Sequence, residues 1–365
     1  MSNKAKIIIP LMLGTFMAAL DNSIVNVSLP VMQKQFGARV DEIQWVITAY
    51  MLAFCVFMPL TNWLKNKIGL YKMYIISICV FAAGSLLCGL SGSLSTLIPS
   101  RILQALGGGA LTPVALAMLS EVFDDKERGT VMGWWGLGVV VGPALGPTLG
   151  GILTQYLGWP YIFFVNLPFA VLALLLSVKY LKNISKNENN APPFDLSGYI
   201  SFILFIILLQ YSVASIEKQG ARSVQLYMTA IASLIFLFAF IKIESKKKDP
   251  VLQLSLFKSH QFVAGILVTA VRSVALFGGL FLLPFLLQSL MGYSEIQTGL
   301  LLLPTSAALA LIMPFAGKYA DKHGPRNITI AGLILIAGST VQLAFLDKGS
   351  SVISIVIQWY CGGPD

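Results

Sequence analysis

Charged side chains are scarce in this chain: only 11% of its 365 residues are charged, whereas 56% are hydrophobic. A soluble domain carries about 25% charged residues, because its surface must face water. With a mean hydropathy of +0.78, the chain has too few polar side chains to cover such a surface. The composition therefore excludes a soluble globular protein and indicates a chain whose solvent is largely lipid.

Histidine and cysteine are also rare, with two and four residues respectively. His260 and His323 fall in polar loops, and the cysteines lie in apolar segments away from them: Cys55, Cys79, Cys88 and Cys361. Zinc sites and disulfide frameworks need these residues in groups, so we expect no metal and no cofactor. We interpret the cysteines as small core residues.

The chain lacks the residue sets that enzymes and ATP-driven pumps require. Converging His, Asp, Glu or Cys side chains at a membrane face are not visible, so a membrane enzyme or a sensor is a minor alternative. The glycines from Gly107 to Gly109 are not followed by Lys-Ser or Lys-Thr, as in a phosphate-binding loop. We interpret them as small residues that pack beside Arg101.

Apolar segments of about 20 residues, the length that a helix needs to cross a bilayer, follow one another along the chain. The predicted fold class is therefore an all-α integral membrane protein. Because only Met1 to Lys6 precedes the first segment, we expect the first helix to act as an uncleaved signal anchor. The predicted spans lie near 7–29, 44–64, 73–90, 95–120, 131–157, 161–180, 199–216, 223–241, 262–286, 297–316 and 328–346, with a twelfth beginning near Ser351.

The distribution of basic residues predicts the orientation. With the N-terminus in the cytoplasm, eighteen Lys and Arg residues lie inside and only five outside: Lys34, Arg39, Lys218, Arg222 and Lys348. This is the positive-inside bias of membrane proteins. We therefore expect a multi-pass protein of the cell membrane, and the net charge of +9 requires no nucleic-acid partner. The basic run 246–248 is either a solvated loop or a contact with anionic headgroups.

An internal repeat with an offset of about 255 residues organises the chain. It pairs Leu29-Pro30 with Leu283-Pro284 and Gly37 with Gly292. Duplicated bundles are common in transporters, and the substrate path lies where the halves meet. We expect an N-terminal six-helix bundle at 1–181, a cytoplasmic linker with a central helix pair and the following loop at 182–255, and a partial C-terminal bundle at 256–365.

The same offset maps Gly107 and Gly108 onto Gly362 and Gly363, so the sequence predicts that the chain stops inside the counterpart of the fourth span. Residues 351–365 would form a helix of about 22 Å, which is shorter than the ~30 Å of a bilayer core. We therefore expect an incomplete transporter that does not carry out vectorial efflux by itself.

Asp21 is a carboxylate deep inside a predicted span. An ionised side chain costs roughly 2.5 to 3.5 kcal/mol there, so such residues usually face a wet cavity and carry function. Low polarity favours the neutral form of a carboxyl group, and the sequence thus predicts that Asp21 binds and releases a proton. The alternative is a structural aspartate that is hydrogen-bonded to Asn22 or Asn26.

Arg101 in the fourth span is the predicted partner of Asp21. Both residues lie about 10 to 12 Å below the outer surface, from their distances to the ends of their helices. Protonation of Asp21 would weaken this pair, which couples a proton to a conformational change; a static pair or a snorkelling arginine is the alternative. The further candidates for the proton-coupling site and substrate cavity are Asn22, Asn26, Gln104 and Arg272. Arg272 has a packing or counter-ion role as its alternative.

The fifth span carries small residues and prolines at regular spacing. Glycines four residues apart form a stripe without side chains, against which another helix can pack closely, and the prolines make the segment easy to bend. We predict a role in gating and helix packing, with ordinary tight packing as the alternative. The residues are Gly138, Gly142, Pro143, Gly146, Pro147, Gly150 and Gly151.

Three motifs together suggest a family. Residues 20–30 (LDNSIVNVSLP), 101–109 (RILQALGGG) and 138–151 (GVVVGPALGPTLGG) resemble the first-, fourth- and fifth-helix motifs of the fourteen-span drug:proton antiporters, the EmrB/QacA type of the major facilitator superfamily. The segment from Trp159 to Pro168 also lies where that family has similar residues. The resemblance covers essentially the entire chain.

The resemblance implies a major facilitator fold with two six-helix halves and two extra central helices, the second half being incomplete here. It implies proton-coupled export of lipophilic drugs or toxic compounds, hence multidrug efflux and antibiotic resistance, by a monomer in a bacterial cell membrane. The implied partners are lipophilic small molecules, protons and the bilayer. Export of a specific metabolite or siderophore is an alternative, as is a truncated product that does not transport.

A cytoplasmic loop motif of the family departs from its usual pattern. The second copy keeps the expected residues, but in the first copy Asn62 and Asn66 stand where glycine and aspartate are expected. Asn66 cannot supply a charge to a helix N-terminus or to a basic partner, which puts a charge relay in the N-terminal half in doubt. The motif comprises Asn66, Lys67 and Gly69 in the first copy and Gly317, Asp321, Lys322, Gly324 and Arg326 in the second.

Overall fold

The structure is a computed structural model that describes residues 3–182, 194–219, 224–247, 252–301 and 325–343, together with residues 250, 304 and 312. Every regular element in these residues is helical. The helices are α1 (Asn3–Phe36), α2 (Val40–Ile43), α3 (Trp45–Ile68), α4 (Leu70–Gly89), α5 (Leu94–Val122), α6 (Asp125–Tyr156), α7 (Tyr161–Phe164), α8 (Asn166–Tyr180), α9 (Leu196–Gln219), α10 (Val224–Glu244), α11 (His260–Phe285), α12 (295–301) and α13 (Pro325–Leu343).

Seven of the described helical spans are long and apolar enough to cross a membrane, and the two arms of α6 make an eighth. The arms meet at a bend of 42° beside Pro143, because proline removes a backbone donor and clashes with the preceding turn. The predicted all-α multi-pass membrane fold is thus confirmed. The predicted span near 161–180 is broken at Val165 into α7 and α8, and the twelfth span lies outside the described residues, as does most of the tenth.

Within the first six spans, α1 packs against α5, α6 and α8, and α5 packs in turn against α3 and α4. Leu11 and Met17 on α1 are fully buried with Phe81 on α4 and Leu111 on α5. Many large apolar side chains on the outer faces remain exposed, as expected of helices that face lipid.

The glycines from Gly107 to Gly109 serve as packing residues, as the sequence predicts. A Cβ atom on Gly107 would lie 2.6 Å from Ser77 O on α4, and one on Gly108 would lie 2.7 Å from the Tyr50 hydroxyl. The contact of Gly107 is with the backbone of α4 and leaves no room for a side chain, so α5 can approach α4 this closely only because this position is glycine.

Helices α9 and α10 form a central hairpin that rests against α3. Tyr199 Oη donates a hydrogen bond to Val56 O at 3.0 Å, and the Phe194 ring lies 4.8 Å from that of Trp63. At the start of the hairpin, burial alone would raise the pKa of Asp195. Hydrogen bonds from Gly198 N and from the Ser197 hydroxyl, together with Lys247, lower this pKa below its ordinary value instead.

The second half contacts the first through α11, which the repeat pairs with α1. Gln288 Nε2, in the π-helical turn Leu286–Leu290 after α11, donates to Val27 O at 2.8 Å. Gly37 and Gly292, which the repeat pairs, have φ angles of 60° and 77°. Both glycines therefore end their helices in the left-handed conformation that favours glycine.

The expectation that the cysteines are core residues is wrong for two of them. Cys55 and Cys79 are exposed on the faces of α3 and α4, while Cys88 is buried; all three are free thiols. An apolar helix face in a membrane protein can turn to lipid as well as to the core, so hydrophobic surroundings do not establish burial. Cys361 lies outside the described residues.

Candidate functional site

Asp21 and Arg101 form an ion pair inside the N-terminal bundle. Arg101 Nη1 lies 2.5 Å from Asp21 Oδ2, and the two side chains are 1% and 0% exposed. The pair joins the middle of α1 to α5, as the depths of the two residues predict. Because the bond is charge-assisted and shielded from solvent, it is among the strong contacts of the bundle.

Asp21 accepts two further hydrogen bonds, both at Oδ1. Gln104 Nε2 donates at 2.8 Å and Asn166 Nδ2 at 2.9 Å. Gln104 also donates to the Ser85 hydroxyl at 2.8 Å, which connects α4 to the group. We call Asp21, Ser85, Arg101, Gln104 and Asn166 the polar cluster.

The guanidinium group of Arg101 has several acceptors besides Asp21. Its Nε donates to Val46 O at 3.2 Å, and Nη1 also donates to Gln104 Oε1 at 2.6 Å. The ring of Tyr50 lies 4.0 Å from the guanidinium carbon, with Phe163 on α7 at 5.5 Å. The charge is therefore held by one carboxylate, two neutral acceptors and aromatic faces.

The burial of the cluster corrects the expectation that Asp21 faces a wet cavity. Its carboxylate is satisfied by three protein donors and has no exposed surface. A buried charge is tolerable when it is paired and hydrogen-bonded, because the partners replace the lost hydration. The structure therefore describes a state in which Asp21 is closed to solvent and arranged as an anion.

Asn26 and Arg272, which are also predicted for this site, do not bond Asp21 in the structure. Asn26 Nδ2 donates to Asn22 O at 3.1 Å and to Ser23 O at 3.3 Å, so Asn26 bonds its own helix and not Asp21. The donors that the structure gives for Asp21 are Arg101, Gln104 and Asn166. The alternative, in which Asn22 or Asn26 holds the aspartate, therefore names the wrong partners. Arg272 is exposed on α11 and takes no part in the hydrogen bonds given above for Asp21.

Asn166, Ser85 and Tyr50 were not identified from the sequence. Asn166 is the first residue of α8, immediately after the break at Val165. The only sequence signal was its place within the segment from Trp159 to Pro168, which resembles the family but carries no recognisable chemistry of its own.

The glycine stripe of α6 lies against α1. A Cβ atom would meet Met12 O at 2.9 Å if placed on Gly138, and Leu20 N at 2.8 Å if placed on Gly142. Gly146 and Gly150 face Ser23 and Ile24 in the same way. The two helices thus pack closely over more than three turns, from Gly138 to Gly150. Helix α1 therefore carries both the polar cluster and one side of this seam.

The last turns of α6 contact the second half of the chain. A Cβ atom on Gly151 would collide with Glu295 O, and one on Gly299 would collide with Pro147 O. Thr148 Oγ1 donates to Gly299 O at 3.1 Å. Pro147, Thr148 and Gly151 of α6 therefore form part of the interface between the halves, at the end of the bundle where α1 also ends.

A cavity of about 1110 Å³ lies between the end of α1, α2 and the second part of α11. Its wall is mostly apolar, with Val274, Phe281 and Leu286 on one side and Gln33 and Lys34 on the other. A cavity of this size and lining suits an amphipathic small molecule. Among the described residues, no group of three or more His, Cys, Asp or Glu could hold a metal ion.

The first copy of the cytoplasmic loop motif ends α3. Asn66 and Lys67 are exposed, Lys67 Nζ lies 4.6 Å above the ring of Trp63, and Gly69 has a φ angle of 86°. Residues 317–324 of the second copy, with Gly317, Asp321, Lys322 and Gly324, lie outside the described residues. Arg326 is exposed at the start of α13.

Comparison with known proteins gives consistent relatives. The chain is 35% identical over 351 residues to the multidrug resistance protein Stp of Mycobacterium tuberculosis, and the alignment covers 96% of the chain and 65% of Stp. It is 34% identical over 357 residues to the riboflavin transporter RibZ of Clostridioides difficile, which covers 98% of the chain and 77% of RibZ. The chain thus spans about two thirds of the length of Stp.

The fold has counterparts among solved structures. The crystal structure of the peptide transporter POT in complex with sulfate superposes with a TM-score of 0.69 over 97% of this chain and 78% of that one, at 15% identity. At this identity the likeness shows the fold alone.

The sequence profile described as Major Facilitator Superfamily matches residues 11–363. The chain therefore belongs to the Major Facilitator Superfamily, whose members are transporters and not enzymes.

Proposed function

We propose that the protein exports lipophilic drugs or toxic compounds in exchange for protons, as a drug:proton antiporter of the EmrB/QacA type. The observation that carries the proposal is the buried pair of Asp21 and Arg101 in a superfamily of transporters. A buried carboxylate is the group that can exchange a proton inside a membrane protein. Similarity to Stp, which is named a multidrug resistance protein, supports the substrate class.

Proton binding to Asp21 would change the charge of the polar cluster. With Asp21 ionised, its charge and that of Arg101 cancel; after protonation, Arg101 keeps its charge and loses its counter-ion. A positive charge without a counter-ion is costly in a dry site, so protonation favours a conformation that gives Arg101 water or another acceptor. This is the coupling step that we infer.

Helix α1 is the element that can transmit this change. It carries Asp21 and packs along the glycine seam of α6, whose last turns contact α12. A shift of α1 at the polar cluster therefore moves α6 with it, because two helices in backbone contact cannot slide without reopening the seam. We propose that the interface of α6 and α12 is the gate that opens and closes in the cycle.

The orientation that we propose places the N-terminus in the cytoplasm, so that the interface of α6 and α12 closes the outer side. Single cysteines introduced at Lys4, Lys247 and Lys34 test this. In intact cells with the native cysteines removed, a membrane-impermeant maleimide should label only the cysteine at position 34. Labelling at position 4 or 247 in sealed cells, with position 34 protected, would reverse the topology.

Export of one metabolite is the second candidate function, because the riboflavin transporter RibZ is similar to 98% of the chain. The test measures uptake of candidate substrates into inverted membrane vesicles that contain the natural protein, with an imposed pH gradient. A panel of lipophilic cations, neutral drugs and riboflavin separates the candidates. Several unrelated lipophilic compounds accumulated in a gradient-dependent way support the first; riboflavin alone supports the second; accumulation unaffected by collapse of the gradient refutes proton coupling.

A further inference from the structure

Asn166 faces Asp21 because of the break between α7 and α8. The helix restarts at Asn166 after Val165, and the short α7 is fixed by the buried side chains of Ile162 and Phe163. Trp159 just before α7 donates from Nε1 to Gln35 Oε1 at 2.7 Å, which ties this corner to the end of α1. The buried side chains of α7 and the hydrogen bond of Trp159 together fix the position of the break before Asn166.

The two ends of the Asn166 amide have different surroundings. Nδ2 donates to Asp21 Oδ1 at 2.9 Å, whereas Oδ1 of Asn166 is buried and has no hydrogen-bond partner among the described residues. A buried acceptor without a partner is costly and needs an explanation. An amide carries its donor and its acceptor at equivalent ends, so a half-turn about its Cβ–Cγ bond exchanges the two.

A protonated Asp21 would need an acceptor where it now has donors. All three side chains that bond it present N–H groups: Arg101, Gln104 and Asn166. The acceptor of Gln104 is already occupied by Arg101 at 2.6 Å and by the Cys88 thiol at 3.7 Å. Among the groups that bond Asp21, the acceptor of Asn166 is the one that is not in use.

We propose that Asn166 is a positioning residue for the proton site: its amide donates to ionised Asp21 and turns over to accept the hydrogen bond of protonated Asp21. The inference rests on the proposed function, in which Asp21 carries the coupling proton. The proton comes from the aqueous phase and remains on Asp21 Oδ1; Asn166 is not itself protonated. The turned amide keeps α8 bonded to α1 in both states, so the proton can be held without breaking this side of the polar cluster.

Infrared difference spectroscopy of the reconstituted native gene product tests the inference. Acidification should give a carboxylic-acid C=O band that Asp21→Asn removes. In Asn166→Leu, which has similar size but no acceptor, the band should move to higher wavenumber, because the protonated carboxyl group loses its hydrogen bond. If the Asn166→Leu variant does not fold, Asn166→Val replaces it and should give the same shift of the band.

Asn26→Leu is the matched control, since Asn26 is also buried but bonds its own helix; it should leave the band in place. Export by Asn166→Leu should fall about tenfold, the effect of one lost hydrogen bond to a charged group, and Asn166→Gln should recover part of it. An Asp21 band at an unchanged wavenumber in the apolar variants would overturn the role of Asn166. A complete lack of any Asp21-dependent band would instead refute the proposed proton carrier.

Discussion

Asp21→Asn is expected to abolish proton-driven export while the protein remains inserted and binds its substrate. Asparagine has nearly the same size as aspartate, but it cannot bind or release a proton. It therefore imitates the protonated state, with Arg101 still bonded to Val46 O and Gln104 Oε1. Because a proton-coupled cycle passes through that state, the fold must tolerate it, and the variant should stop there rather than unfold.

The measurement is uptake into inverted vesicles under a pH gradient, together with substrate binding at equilibrium and the amount of inserted protein. Uptake by Asp21→Asn should fall to the level of vesicles without the protein, with binding retained. Asp124→Asn is the matched control, because Asp124 is exposed just before α6 and should transport normally. Gradient-dependent uptake by Asp21→Asn at the normal rate would remove Asp21 from the mechanism.

The pairing of Asp21 with Arg101 could be predicted from the sequence because both residues are polar in spans that are otherwise apolar. Depth along a helix follows from counting residues, and a buried charge needs a partner at its own depth. The glycine seam was predictable for a related reason: a spacing of four residues puts glycines on one face whatever the helix packs against. These features depend on position along a helix and not on its rotation.

The rotation of the helices could not be predicted, and the errors follow from this. Helix α4 is apolar on all sides, so its sequence does not distinguish the face that holds Cys88 from the lipid-facing side with Cys79. The contact of Asn166 with Asp21 could not be predicted for a different reason. The direction of the asparagine side chain is set by the break at Val165. Pro168 is compatible with a helix start at this point, but it does not indicate which way the Asn166 side chain points.

One aromatic contact joins the end of α3 to the start of the central hairpin. Trp63, one turn before Asn66, packs on Phe194, and Lys67 lies over the ring of Trp63 within α3 itself. The contact between Trp63 and Phe194 involves no charged group. It therefore depends little on ionic strength, in contrast to a surface ion pair.

Arg101→Met is expected to be the most destabilising single change in the polar cluster. Methionine fills the space of the arginine stem, but it leaves ionised Asp21 in a dry site with only Gln104 and Asn166 as donors. Removing one partner of a buried ion pair typically costs about 3 to 5 kcal/mol, because the remaining charge is not compensated. The variant should show a clearly lower thermal unfolding midpoint in detergent and no export.

The double variant Asp21→Asn/Arg101→Met separates the structural role of the pair from its role in transport. Both charges are absent, and replacement of a whole buried pair by neutral groups of similar volume is often neutral or stabilising. We therefore expect the double variant to recover most of the thermal stability that Arg101→Met loses, while export stays at background. The thermal stability of Arg101→Lys should lie between that of Arg101→Met and that of the double variant. An ammonium group keeps the charge, but it cannot bond Val46 O, Asp21 and Gln104 in the planar arrangement of a guanidinium. If the double variant is as unstable as Arg101→Met, an uncompensated Asp21 is not the cause of the loss. If it exports at the normal rate, the pair holds the bundle together and does no coupling.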